Sequence, residues 1–388
     1  MSAVVTSSSS GNNIGGSRSH HVGETANLSL FAAVASSAPS AFRILCVVCG
    51  PFRPTILANH GDFSQLLRTA VDVLSSDADP ESPQVIRDHF DSRTSPARPP
   101  ASWELFHLYD APVTVSTTTT TTRAAGDDAA LTDAVLAQWP NLADYDAVIL
   151  SGSRYNMTED HPWLPLAAEW LRRAVREREA FYSHRCDGDV STTRSQRPPP
   201  PILGICFGHQ LLSHALGGAV DWNPAGRECG TLRIEQTSTL APAASGPRDD
   251  AHADGNPHVL DNHDDVLVRV ASLPAAFDVI AYHNQTVTCL PKTSVCLFRS
   301  VRDRHQVVRH GPLVYSVQFH PEFSPALMQD YAPHLSFESE QERTAFVDSL
   351  RDTPIAKRIV GAFIVLAWEE RQQPHFRERR GGREATAK

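Results

Sequence analysis

Residues 202–210 read "ILGICFGHQ": a short apolar run, one cysteine flanked by glycines two positions away on each side, then His-Gln opening a helical pattern. "PILGI" (201–205) has strand length and is apolar throughout, and "FGHQLLSHAL" (207–216) reads as a helix stopped by Gly217-Gly218. A strand that turns straight into a helix through a cysteine is a nucleophile-elbow pattern, here G-x-C-x-G. Gly204 and Gly208 remove the Cβ atoms that so sharp a turn would bring together. The helix N-terminus supplies free N–H groups and the positive end of a dipole beside Cys206, which favours a thiolate. The N–H of Phe207 is then placed to meet the oxygen of a carbonyl under attack.

Outward from this elbow, strand and helix signals alternate. "FRILCVVCG" (42–50) is apolar on both faces, as a buried parallel strand requires. "GDFSQLLRTAVDVL" (61–74) sets Phe63, Leu66, Leu67, Ala70, Val71 and Leu74 on one helical face. "LFHLYD" (105–110) and "DAVILSGS" (146–153) are further strand candidates, and "WLPLAAEWLRRAVREREAFY" (163–182) is a helix. Beyond Gly218 come shorter strands: "GTLRIEQT" (230–237), "FDVIAYH" (277–283), "SVCLFRS" (294–300) and "GPLVYSVQFH" (311–320). A helical region follows to about residue 370. The order predicts an α/β domain with a mainly parallel central sheet flanked by helices.

The composition sets limits on function. The chain has 388 residues, 41% hydrophobic and 20% charged, which suits a soluble globular protein with a full core. A net charge of −9 without a basic face argues against nucleic-acid binding. No apolar window is long enough to span a membrane. Seven irregularly spaced cysteines do not make a disulfide framework, so a reducing, cytoplasmic setting is expected. "NLSLFAAVASSAPSA" (27–41) is like a signal-peptide core, but Glu24 stands where a basic region is needed; the serine-rich start leaves a transit peptide open. Residues 1–41 read as a disordered tail, 42–370 as the domain and 371–388 as a charged tail. Insertions are expected near 113–130 (around the threonine run 116–122), at 183–200 and at 240–258, where polar or low-complexity sequence cannot offset the entropy of ordering.

A nucleophilic thiol needs a base. "YSVQFHPEF" (315–323) offers His320 and Glu322, which project to one side in extended backbone, with Pro321 between them biasing His320 to that geometry. Glu322 would orient the ring while its other nitrogen faces Cys206, a triad with cysteine in the serine position.

With "GICFGHQ" and "QFHPE" in this order, the sequence resembles the class I, triad-type glutamine amidotransferases. "YDAVILSGS", "ALGGAV…NPAGRECG" and "YHNQTVTCLP…LFRS" resemble further segments of that family. "GDFSQLLRTAV" and "MTEDHPWL" point to a stand-alone branch, common in fungi and similar to the glutaminase part of GMP synthase. The resemblance covers roughly 42–368 and implies a flavodoxin-like fold. It implies that Cys206 attacks the side-chain amide of glutamine, or another γ-glutamyl carbonyl, to form a thioester. His320 would move the proton and Glu322 orient the ring. Phe207 and the Gly152 loop, with Ser153, would form the oxyanion and substrate-binding wall, and Gln210 would help hold the substrate. No cofactor or metal is implied.

The pattern also departs from the family. Ser151-Gly152-Ser153 replaces the usual Gly-Gly-Pro loop, and Gln285 stands where the family has an acid. No Ser-Gly-Gly-x-Asp-Ser phosphate loop follows, and the stretch after Glu322 is too short for a synthetase domain, so ammonia would pass to a separate synthetase or another ammonia-accepting partner. A γ-glutamyl peptidase acting on glutathione or its conjugates is the alternative that needs no such partner, and a non-catalytic binding protein is a third reading. Cys46 and Cys49 (C-x-x-C) fall on opposite faces of a strand, against a shared metal or disulfide. His252, His258 and His263 lie among aspartates in or near an insertion. His209 and His214 are expected to be structural, His283 to border the site, and Cys229 and Cys289 to pack.

Overall fold

A computed structural model of the chain describes residues 41–75, 79–90, 101–114, 127–186, 197–237, 264–337 and 339–381. The N-terminal tail, the threonine run, most of the 183–200 segment and the 240–258 segment with His252, His258 and nearby His263 lie outside the described residues.

The strands are β1 (Phe42–Val48), β2 (Ala101–His107), β3 (Ala147–Leu150), β4 (Ile202–Ile205), β5 (Ala219–Trp222), β6 (Glu228–Gln236), β7 (Ala276–His283), β8 (Gln285–Cys289), β9 (Val295–Arg299), β10 (Val307–Gly311) and β11 (Val314–Val317). Nine of them form one sheet in the order β2-β1-β3-β4-β11-β10-β9-β6-β7, while β5 and β8 pair separately. The block β2-β1-β3-β4-β11 is parallel throughout. Its order is that of flavodoxin-like doubly wound sheets, which carry their ligands at the carboxyl ends of the strands. From β11 to β7 every pairing is antiparallel.

Burial on both faces explains the apolar runs. Along β1, Ile44, Cys46 and Val48 enter one core cluster, while Leu45, Val47 and, just past the strand, Cys49 enter the other. The helix Phe63–Ser75 and the long helix Pro354–Gly381 cover the first face; Leu164–Cys186 and Phe207–Ala215 cover the second. All six apolar residues of the 61–74 stripe are buried. Arg178, fully buried on the Leu164–Cys186 helix, pairs with Glu370 through hydrogen bonds of 3.0 and 2.6 Å, fastening the last helix to the opposite layer. Removing one partner of such a pair costs about 3–5 kcal/mol.

The structure corrects several boundaries. The second strand is Ala101–His107, with Leu108–Asp110 a single 3-10 turn; β2 is a partly exposed edge strand, so the apolar residues near it mark its end and not its centre. Residues 311–320 are not one strand: β10 and β11 form a hairpin turning at Pro312-Leu313, with Leu313 in the left-handed region (φ 51°). Helix Asp127–Leu136 begins inside the 113–130 span, and the final helix runs past residue 370 to Gly381. No helix among the described residues is long and apolar enough to cross a membrane.

Candidate active site

Cys206 sits between β4 and the helix Phe207–Ala215 with φ 51° and ψ −100°, a conformation that a side-chain-bearing residue adopts only when its surroundings enforce it. Three backbone hydrogen bonds do so. The N–H of Cys206 donates to Val317 O (2.8 Å), that of Gly208 to Ser151 O (3.1 Å), and that of Gln210 to Cys206 O (3.1 Å). The glycines are required by space: a Cβ on Gly204 would lie 2.5 Å from Gly208 O, and one on Gly208 would lie 2.7 Å from Leu150 Cβ. Cys206 is 5% exposed and faces a cleft of about 340 Å³. As the first residue of its helix, Phe207 has an N–H with no intrahelical acceptor, and it lines the same cleft.

His320 lies three residues past β11, the strand that pairs with β4 just before the Cys206 elbow. The antiparallel strands curl back so that the His320 N–H donates to Ile280 O on β7 (2.8 Å). Residues 320–323 form a turn, closed by Phe323 N–H to His320 O at 3.3 Å, and not the extended segment expected from Pro321. The turn still joins the two side chains, since His320 Nδ1 lies 2.9 Å from Glu322 Oε1. The Cys206 side chain lies beside the ring under the same Gly152 loop, close enough to favour the ring's charged form. Burial disfavours a charged ring here, but the Cys206 thiolate and the Glu322 carboxylate outweigh it and raise His320 from 6.5 to about 10. The ring is therefore favoured in its charged form. Phe323 lies flat against the ring, with centroids 4.0 Å apart and planes 7° apart, a face that favours a cation.

The Gly152 loop closes over this pair. A Cβ on Gly152 would come 2.5 Å from His320 Cε1 and 3.4 Å from Cys206 Cβ, so only a glycine lets the loop lie so close. Ser151 Oγ accepts from Cys49 N–H (2.9 Å) and donates to Gly152 O (2.7 Å). Ser153 Oγ donates to Cys49 O (3.3 Å) and accepts from Tyr155 N–H (3.0 Å), holding the loop against the end of β1. Gln210 lines the cleft while its Nε2 donates to Gln285 O (2.9 Å) and Gln318 Oε1 (3.1 Å). Gln285 accepts from Met157 N–H (2.7 Å) and donates to Thr158 Oγ1 (2.7 Å). A carboxylate could accept the first bond but not donate the second, so the amide works as a brace between β8 and the loop.

His283 borders the cleft, and its Nε2 lies 3.1 Å from Glu228 Oε2. Burial tends to raise the Glu228 carboxyl, but His283 and Ser300 outweigh that and hold it below the usual range. Glu228, His283 and Asp303 are close enough together to hold a metal ion. The Glu228 oxygens are already met by Ser300 Oγ (2.5 Å), Gln306 Nε2 (2.7 Å) and His283, which makes the group a buried brace for the end of β7. His209 is buried against Ser316 Oγ (2.7 Å), and burial first, with neighbouring histidines, holds its pKa well below 6.5; His214 is exposed. Cys46 and Cys49 are free thiols, each raised to about 12 chiefly by burial. Cys229 is free and half-buried, and Cys289 is exposed, so the latter is not a packing residue. Sequence reasoning missed Phe323, directly after the HPE motif, and Arg53 and Arg154, in the loops that follow β1 and β3. Their only signal was position at the carboxyl ends of parallel strands.

Residues 132–337, more than half of the chain, match the family described as Glutamine amidotransferase class-I. The chain belongs to the class-I glutamine amidotransferases. Its named relatives include amide-hydrolysing enzymes. It is 33% identical over 138 residues to one of the subunits of a glutamine-hydrolysing GMP synthase from Methanopyrus kandleri, covering 34% of this chain and 59% of that one. It is 28% identical over 185 residues to a γ-glutamyl-L-1-hydroxyisopropylamide hydrolase from a Pseudomonas species, covering 47% of this chain and 49% of the relative. Thus the chain spans less than two thirds of the length of either relative. Among solved structures, a glutamine amidotransferase from Methylobacillus flagellatus is 15% identical with a TM-score of 0.48, covering 85% of this chain and 95% of that one.

Proposed function

We propose that this chain hydrolyses γ-glutamyl amides, glutamine being the simplest, through a Cys206-His320-Glu322 triad. The observation that carries the reading is the His320 ring, bonded to Glu322, lying under the Gly152 loop beside a cysteine held at a strained elbow. The Cys206 thiolate attacks the γ-carbonyl carbon, forming a C–S bond. The resulting oxyanion is met by N–H groups of Phe207 and the Gly152 loop. His320 gives its proton to the leaving nitrogen, the C–N bond breaks, and a γ-glutamyl thioester remains. Water then attacks with His320 as base, the C–S bond breaks, and glutamate leaves. Glu322 holds the ring in one orientation and stabilises its charge.

What the leaving nitrogen becomes depends on the substrate. With glutamine it is ammonia, which passes to a separate synthetase partner; the Methanopyrus relative, named as one subunit of a glutamine-hydrolysing synthase, supports that arrangement. With a γ-glutamyl peptide it is an amine and no acceptor is needed; the Pseudomonas relative, named a hydrolase of a substituted γ-glutamyl amide, supports this second reading. Incubation of the purified chain with glutamine and, separately, with a glutathione S-conjugate should release glutamate from at least one, and Cys206→Ala should abolish it. Turnover of neither, even with cell extract added, would overturn the hydrolytic reading in favour of a binding role.

A further inference from the structure

The charges lining the cleft are unbalanced. Among the described residues its carboxylate is Glu322, committed to His320, whereas Arg53 and Arg154 both line the cleft. Among the described residues neither guanidinium has a carboxylate partner; Arg53 makes only a long 3.5 Å contact with His334 O, and Arg154 is exposed in the cleft mouth. Tyr331 lines the same cleft, where burial raises its phenol and both arginines act in the opposite direction. Tyr331 stacks on Phe323 at 6.0 Å and 25°, and Phe323 stacks on His320. One continuous wall therefore leads from the catalytic imidazole to the two arginines. Gln210, Asn284 and Gln285 line the same cleft and bring amides instead of charges.

This arrangement orients the substrate. The leaving nitrogen must face His320, the group that protonates it, so whatever is attached to that nitrogen continues along Phe323 and Tyr331. The glutamyl portion is then left to the amide-bearing residues of the cleft. Resting on the hydrolytic reading above, we propose that Arg154, with Arg53, forms an anion subsite for the leaving group, and that the preferred substrate is a γ-glutamyl amide whose amine carries a carboxylate. Cleavage breaks the amide C–N bond, forms the thioester C–S bond, and releases an amino acid or peptide whose nitrogen has taken the His320 proton. A guanidinium pairs with a carboxylate through charge-assisted hydrogen bonds that a neutral leaving group cannot supply.

The test compares γ-glutamylglycine with γ-glutamylethylamide, which differ in the carboxylate on the leaving amine. The subsite predicts at least a roughly tenfold higher kcat/KM for γ-glutamylglycine. Arg154→Ala should collapse that ratio towards one, mainly through KM, and Arg154→Lys should restore part of it. Equal rates on the two compounds, or an unchanged ratio in Arg154→Ala, would overturn the subsite. Protection of Cys206 from iodoacetamide by each compound reads binding without turnover. If nothing is hydrolysed, the triad reading fails, and the subsite is still decided: stronger protection by γ-glutamylglycine, lost in Arg154→Ala, supports it, and equal protection refutes it.

Discussion

Replacing Glu322 by glutamine removes a charge from His320 while leaving an oxygen able to accept from Nδ1, which isolates the electrostatic part of the triad. A histidine raised from 6.5 to about 10 has gained about 5 kcal/mol of preference for its charged form. That gain is net of a burial penalty, which Cys206 and Glu322 together outweigh. A buried, charge-assisted contact at 2.9 Å accounts for about 2 kcal/mol of the preference. Glu322→Gln should then lower the midpoint of the His320 titration by roughly one and a half pH units. The assay is NMR of the ring Cε1–H with isotope-labelled histidine, with His320→Gln assigning the signal. The charged ring should stay dominant at pH 7 but be depleted near pH 9, and glutamate release should fall about tenfold or more through weaker stabilisation of the ring's charge. A wild-type midpoint near 6.5, or a midpoint unmoved by the substitution, would refute the reasoning. The sign of the linkage also follows. Because the folded value is raised, the stability contributed by His320 is fully present below pH 6.5 and is lost as pH rises towards about 10.

Two further outcomes are expected. Gly152→Ala places a methyl 2.5 Å from His320 Cε1, so γ-glutamyl hydrolysis should fall more than about tenfold while the thermal midpoint stays within a few degrees of the parent; equal activity would show that the loop does not lie over the ring. His310 is fully buried between Ser294 and Ser316, and burial lowers it to about 3. It stays neutral when folded but takes a proton when unfolded below pH 6.5, so stability should fall by up to about 1.4 kcal/mol per pH unit from this residue alone as pH drops. Urea unfolding at pH 7 and pH 5 would measure that slope, and His310→Gln should reduce it; identical slopes in the two proteins would refute the assignment.

How far the sequence could be read depended on whether each feature was local. Cys206 was legible because Gly204 and Gly208 mark a turn whose constraint is confined to the elbow itself. β1 was legible because alternate residues enter two cores, leaving the run almost wholly apolar. β10 and β11 read as less than a hairpin because the turn passes through Leu313 at positive φ, where no glycine signals it. β8 begins one residue after β7 ends and was read as a motif, since its strand pairs only with the distant β5. Cys289, given as a packing residue, is exposed because it ends β8 where burial gives out. Arg53 and Arg154 were silent for a related reason: an arginine without a carboxylate partner looks like any surface cation until two loops, about a hundred residues apart in sequence, are brought to one cleft.

Both candidate reactive side chains are anchored through β11, which ends three residues before His320, but each has a different further tie. Cys206 is tied to β11 in the parallel block, whereas His320 takes its backbone bond from β7 at the antiparallel edge. The Ile280 bond ties the segment after β11 to the far edge of the sheet, so a change that loosened the β6–β7 ribbon would free His320 while the bond from Cys206 to Val317 O stayed in place.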